Sequence, residues 1–139
     1  MTGDGRPGPI TDLDSEPFWA ALRRGAVVVQ VCAECGRHRF GRVVSCPYCG
    51  APGGSDVEIP GTGTIYSFVR AHRALTDTMA GDVPYAVATV DLDGGARMLG
   101  RIEPPGAARI GARVSPLFVD HGDWTELRFR AGDATDDNA

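Results

Sequence analysis

The 139-residue sequence contains no lysine: its fourteen cations are all arginine, set against eighteen Asp and Glu. The formal net charge is −4. A dedicated nucleic-acid binder usually carries a basic excess that displaces counterions from phosphates. General nucleic-acid binding is therefore disfavoured. No apolar run approaches the roughly 18 residues of a membrane-spanning helix. The first six residues, Met1-Thr2-Gly3-Asp4-Gly5-Arg6, show no apolar secretory core, and the expected compartment is the cytoplasm.

Material for catalysis is also scarce. There is no Gly-x-Ser-x-Gly elbow, phosphate-cradling loop or dinucleotide fingerprint. The three histidines, His38, His72 and His121, fall in different segments without a repeated carboxylate partner. All four cysteines sit in two short knuckles, so no thiol is left over as a nucleophile. No catalytic residue is expected.

What the sequence does have is glycine and proline, 19 and 10 of them. Such a composition points to short strands joined by turns rather than to a helical bundle. One helix is predicted over 15–25: Asp14 or Ser15 can cap it, Pro17 suits its first turn and Gly25 its end. Phe18, Trp19 and Leu22 give it an aromatic face, and at this length it must dock on something. Strands are predicted over 26–31, 39–44, 63–72, 84–92, 96–102, 113–119 and 124–130. The last of them alternates Thr125, Leu127 and Phe129 with Trp124, Glu126, Arg128 and Arg130, the mark of one buried face. Five strands in about 70 residues fit a small closed barrel, since closure removes exposed edges.

The knuckles read Cys32-Ala33-Glu34-Cys35-Gly36 and Cys46-Pro47-Tyr48-Cys49-Gly50. Two residues between thiolates let a tight turn aim both sulfurs at one ion, and the trailing glycine lets the backbone fold beneath them. Four thiolates from Cys32, Cys35, Cys46 and Cys49 describe a closed, structural Zn²⁺ site, with iron the rarer occupant. A reducing compartment opposes disulfides. His38 lies between the knuckles but is surplus to a complete set, and is expected at the surface. Arg37, Arg39 and Arg42 border the metal and can compensate its negative cluster.

The order of these motifs carries a resemblance. A helix with Pro-Phe-Trp, a strand running into Cys-x-x-Cys-Gly, then Cys-Pro-x-Cys-Gly resembles acyl-CoA-associated proteins that join a rubredoxin-like zinc ribbon to an OB-fold barrel. Gly61-Thr62-Gly63-Thr64-Ile65-Tyr66-Ser67 looks like their entry into the barrel. The stretch from Pro84 to Gly95 looks like their central hairpin, and Ile110-Gly111-Ala112-Arg113-Val114 like the approach to their fourth strand. The resemblance implies a mainly β protein: leader 1–14, helix 15–25, zinc ribbon 26–57, five-stranded OB barrel 58–130 and a disordered acidic tail 131–139. The sequence departs from the family pattern at 103–112, which is too short for the helix usual between the third and fourth barrel strands, so a reduced barrel is expected.

The function implied is that of an accessory subunit. Such proteins bind thiolase-superfamily enzymes, including lipid-transfer-like thiolases that act as aldolases, and some work with enoyl-CoA hydratases in steroid side-chain degradation. The subunit would form a scaffold and help hold acyl-CoA, with catalysis in the partner. If Thr64, Tyr66, Phe68, Arg70 and His72 share one side of their strand, Tyr66 and Phe68 can stack an adenine. Arg70, His72 and Arg73 can then meet coenzyme A phosphates. In the competing view the aromatics fill the barrel and the arginines pair with Asp at the surface. The alternative function is an OB-fold binder of single-stranded nucleic acid.

Overall fold

The computed structural model describes residues 8–131. Residues 1–7 of the expected leader and 132–139 of the expected tail lie outside the described residues. Helix α1 spans Glu16–Arg23 and follows a turn closed by its own side chains. The Ser15 amide donates to Asp12 Oδ1 at 2.8 Å, and the Asp12 amide donates to Ser15 Oγ at 3.1 Å. Neither Asp14 nor Ser15 caps a helix amide as the sequence suggested, because the Ser15 hydroxyl is already engaged by Asp12. The helix ends as expected at Gly25, whose φ is +79°. There the amides of Gly25 and Ala26 reach back to the carbonyls of Leu22 and Ala21, closing the last turn.

Strand β1, Val27–Cys32, is the middle of a three-stranded antiparallel sheet between β2, His38–Arg39, and β3, Gly54–Ile59. The strand expected over 39–44 shrinks to two residues, because Gly41 turns the chain away at φ +89°. The other edge is β3, which the sequence reading did not foresee. It pairs with β1 along its whole length, from Val27↔Ile59 to Cys32↔Gly54.

Strands β4 (Gly63–Ala71), β5 (Tyr85–Leu92), β6 (Arg97–Glu103), β7 (Arg113–Asp120) and β8 (Thr125–Ala131) then close into a barrel. Their order is β4-β5-β6-β8-β7, with β7 returning to β4. The pair β6–β8 is parallel, through Ile102↔Phe129 and Glu103↔Arg130. Between β6 and β7 there is one 3₁₀ turn, Pro105–Ala107, in place of a helix. The barrel is thus the reduced form expected from the sequence.

Phe129, Ile65, Ile102 and Val90 fill its interior and are almost wholly buried. Each such side chain contributes about 1.5–3 kcal/mol relative to exposure. The expected alternation in β8 holds, with Thr125, Leu127 and Phe129 all buried. Room for the Phe129 ring comes from Gly100: a Cβ there would stand 2.6 Å from Phe129 Cε2.

The helix lies across the junction and packs its aromatic face within the chain. Phe18 meets Phe40 of the ribbon edge-on at 5.0 Å, and Trp19 meets Trp124 of the barrel at 6.0 Å. His38 is a third tie between the two parts. It is half-buried rather than at the surface, because its ring covers Gly94 in the β5–β6 turn.

Candidate metal centre

The first knuckle follows β1 and the second follows the loop after β2. Each folds under itself. The Gly36 amide donates to the Cys32 carbonyl at 3.1 Å, and the Gly50 amide to the Cys46 carbonyl at 2.8 Å. Both glycines sit at positive φ, +73° and +80°, where an L side chain would be strained. These turns aim further amides at sulfur: Glu34 and Cys35 donate to Cys32 Sγ at 3.4 and 3.5 Å, and Tyr48 donates to Cys46 Sγ at 3.4 Å.

All four sulfurs lie within 4.8 Å of one another. Cys32–Cys49 and Cys35–Cys46 are each 3.7 Å apart. A tetrahedron with Zn–S bonds of about 2.3 Å has sulfurs about 3.8 Å apart. The donor set therefore fits a tetrahedral metal ion, and the spacing is far too long for S–S bonds of about 2.05 Å. Cys32 and Cys46 are buried while Cys35 and Cys49 face outward.

The electrostatics call for a cation. The amides of Cys35 and Glu34 hold the Cys32 thiol down at about 6. At Cys49 the Ala51 amide favours the thiolate, but burial and the neighbouring sulfurs outweigh it and push the thiol up to about 11. Thiolates this close repel one another, so all four ionise together only around a bound positive charge. The cluster is a metal-binding site.

The other expected groups are dispersed. Arg37 lies over the Tyr48 ring, Arg42 pairs with Asp56 at 2.9 Å, and Arg39 is buried with Nη2 donating to the Gly53 carbonyl. Arg39 Nε and Nη1 are buried and unpartnered among the described residues.

The single-sided stripe on β4 does not form. A β-bulge between Ile65 and Ser67 interrupts the alternation. Before it, Thr64 stands opposite Asp91, and Tyr66 is half-exposed under the Arg97 guanidinium. After it, Phe68 and Arg70 stand opposite Ala88 and Ala86, on the inner face of β5. Phe68 packs against the core, while Arg70 covers its ring and donates to the Ala108 carbonyl. His72 and Arg73 follow in the exposed loop. Tyr66 is thus exposed on the outside of the barrel while Phe68 faces the core.

The sequence reading missed a partly buried polar row that runs from the β7–β8 turn along β8. His121, in the β7–β8 turn, is buried, stacked on Trp124 at 4.5 Å and 2.8 Å from the Glu126 carboxylate. Arg128 bridges Glu126 and Glu103 at 2.9 and 2.8 Å. The charged face of the alternation hid it, because its partners, His121 and Glu103, lie outside the strand's own pattern.

Comparison with known proteins agrees with this architecture. Residues 19–53 match the ChsH2 rubredoxin-like zinc ribbon domain, and residues 56–119 match the ChsH2 C-terminal OB-fold domain. A solved structure described as an Ltp2-ChsH2(DUF35) aldolase is 30% identical with a TM-score of 0.76, covering 89% of this chain and 98% of that one. A DUF35-family protein of unknown function from Sulfolobus solfataricus shares the fold, with a TM-score of 0.63 at 18% identity over 88% of this chain and 87% of that one.

Among curated proteins, a probable enoyl-CoA hydratase alpha subunit from Thermomonospora curvata is 35% identical over 94 residues, 68% of this chain and 29% of the relative. The 3-oxo-4,17-pregnadiene-20-carboxyl-CoA hydratase alpha subunit of Mycobacterium tuberculosis is 37% identical over 67 residues, 47% of this chain and 21% of the relative. The chain thus spans less than a third of the curated relatives it matches. With both domains matched in order and the solved ChsH2 structure covered almost end to end, the chain belongs to the ChsH2 (DUF35) family of zinc-ribbon and OB-fold proteins.

Proposed function

We propose that this chain is a non-catalytic accessory subunit of a thiolase-like acyl-CoA enzyme, an aldolase or acyltransferase of lipid or steroid side-chain metabolism. The observation that carries the reading is the likeness to the Ltp2-ChsH2(DUF35) aldolase across 98% of that chain. The names of the curated relatives add hydratase alpha subunits as a second class of partner. Chemistry would belong to the partner. In support, the four cysteines point at one another, and the three histidines are held apart in the ribbon, the loop after β4 and the β7–β8 turn.

The metal is Zn²⁺ in this reading, holding the ribbon in shape without an open coordination position. Acyl-CoA would be held at the end of β4, where His72 and Arg73 are exposed beside Arg70, with Tyr66 on the outer face. The nucleic-acid alternative is weakened by the net charge of −4 and by arginines tied to carboxylates, such as Arg97–Asp91 and Arg113–Asp93.

Co-expression with a thiolase-like subunit encoded nearby, followed by size exclusion and metal analysis, tests the proposal. A stable complex with about one zinc per copy, and acyl-CoA turnover only in that complex, is the expected result. A zinc-loaded chain that stays alone and instead binds an oligonucleotide at low salt would overturn it.

A further inference from the structure

Phe18, Trp19 and Phe40 wall an open cavity of about 380 Å³ between α1 and the ribbon sheet. Ligand pockets run from about 300 to 1,000 Å³, so this one suits a single long side chain better than a nucleotide. Three carboxylates, Asp12, Asp14 and Asp56, line the same cavity, against one cation, Arg42. The pairings leave negative charge unspent. Asp56 is engaged by Arg42 and Gln30. Asp12 gives one oxygen to the Ser15 amide, and the bonds from Ser15 hold its carboxyl below the usual range. The Asp14 carboxylate, by contrast, has no hydrogen bond or ion pair among the described residues.

Aromatic walls under a carboxylate rim attract a cation and repel a phosphate. The cavity is therefore a poor place for coenzyme A and a good one for a guanidinium, which is planar, stacks on rings and donates in a fork to carboxylates. Its lip continues into exposed apolar surface: beyond Arg42, Val43 and Val44 are 48% and 93% exposed. A free small molecule would leave that strip uncovered, whereas a protein surface would cover both. We infer that this cavity is the docking site for an arginine side chain presented by a partner subunit. The inference rests on the accessory-subunit reading for the existence of that partner.

Two experiments on the full, metal-loaded chain separate the two ideas. In the first, tryptophan fluorescence is followed while N-acetyl-arginine amide is added, with the uncharged N-acetyl-citrulline amide as comparison. Saturable binding of the arginine compound is expected, about tenfold weaker for citrulline and for an Asp14→Arg chain. In the second, the Asp14→Arg chain is titrated against the thiolase-like subunit. A loss of at least about tenfold in affinity is expected at unchanged metal content, while Asp77→Arg, at a distant exposed turn, binds like the parent. Equal binding of the arginine and citrulline compounds, or an Asp14→Arg complex as tight as the parent, would overturn the inference. If the parent chain binds no thiolase-like subunit, the accessory reading fails instead, and the fluorescence titration alone decides for or against the cavity.

Discussion

Trp19 and Trp124 meet edge to face, their ring centres 6.0 Å apart and their planes at 76°. One ring belongs to the helix and the other to the start of β8, and beyond them Phe18 reaches Phe40 of the ribbon. Four rings, two of them on the helix, thus hold helix, ribbon and barrel together. Pairs of this kind add about 0.5–1.5 kcal/mol beyond the area they bury.

Trp19→Ala should therefore destabilise the whole chain rather than fray one end. Truncating a large core aromatic costs about 3–5 kcal/mol; Trp19 is only half-buried, so about 3 is expected. Urea unfolding checks it: the midpoint should fall with the slope unchanged. Loss of helix signal without a shift of the midpoint would show that the helix is an independent appendage.

Metal removal should unfold the ribbon and spare the barrel. The ribbon has little apolar material beyond the face of β1, and small zinc modules draw about 10–16 kcal/mol from their metal. Cys46→Ser, which removes a buried ligand, should abolish stoichiometric metal binding. The β5–β6 amides should stay protected from hydrogen exchange while those of β1 and β3 lose protection.

Gly100→Ala places a methyl group 2.6 Å from the Phe129 ring. Phe129 is fully buried and has nowhere to retreat, so overpacking should cost about 1–3 kcal/mol. Thermal melting of the purified variant reads this directly. An unchanged melting temperature would mean that the ring does not fill the barrel as described.

Glu126 gives the protein an acid-sensitive contact. Burial raises its carboxyl, but the bonds from Arg128 and His121 outweigh that and hold it below its ordinary 4.5. A depressed carboxylate stabilises the fold fully above its unfolded pKa, and the contribution is lost as pH falls through the lower folded value. Glu126→Gln should cost about 1–3 kcal/mol at neutral pH. The gap between parent and variant in urea midpoint should close as pH drops below 4.5; a gap constant down to pH 3 would sink the account.

The knuckles and the barrel strands were legible in the sequence because their signals are local. Two residues between cysteines, alternating Thr125–Leu127–Phe129 and the Asp93-Gly94-Gly95 turn each report on a few neighbouring residues. β3 was not legible because Gly54-Ser55-Asp56-Val57-Glu58-Ile59 offers only two half-buried apolar side chains; its pairing with β1 is through backbone. The bulge at Tyr66 reversed the expected stripe for the same reason: register is settled by the partner strand, not by the strand's own composition. The His121–Glu126–Arg128 row depends on Glu103 of another strand, and the cavity beside Phe18 on α1 lying over the ribbon, neither of which local pattern reports.

The Arg23 guanidinium donates to the Gly122 carbonyl, a residue 99 positions later, close to where Trp19 finds Trp124. As the chain is made, Phe40 of the ribbon follows the helix closely, whereas Trp124 arrives only with the last barrel strand. Trp19 therefore stays uncovered until Trp124 has been made. The ribbon can take its metal before then, so the Trp19 side of the helix is the part of the junction that waits longest for its partner. A chain cut short before Trp124 would carry a helix with Phe18 covered and Trp19 bare, an apolar edge prone to stick to its neighbours.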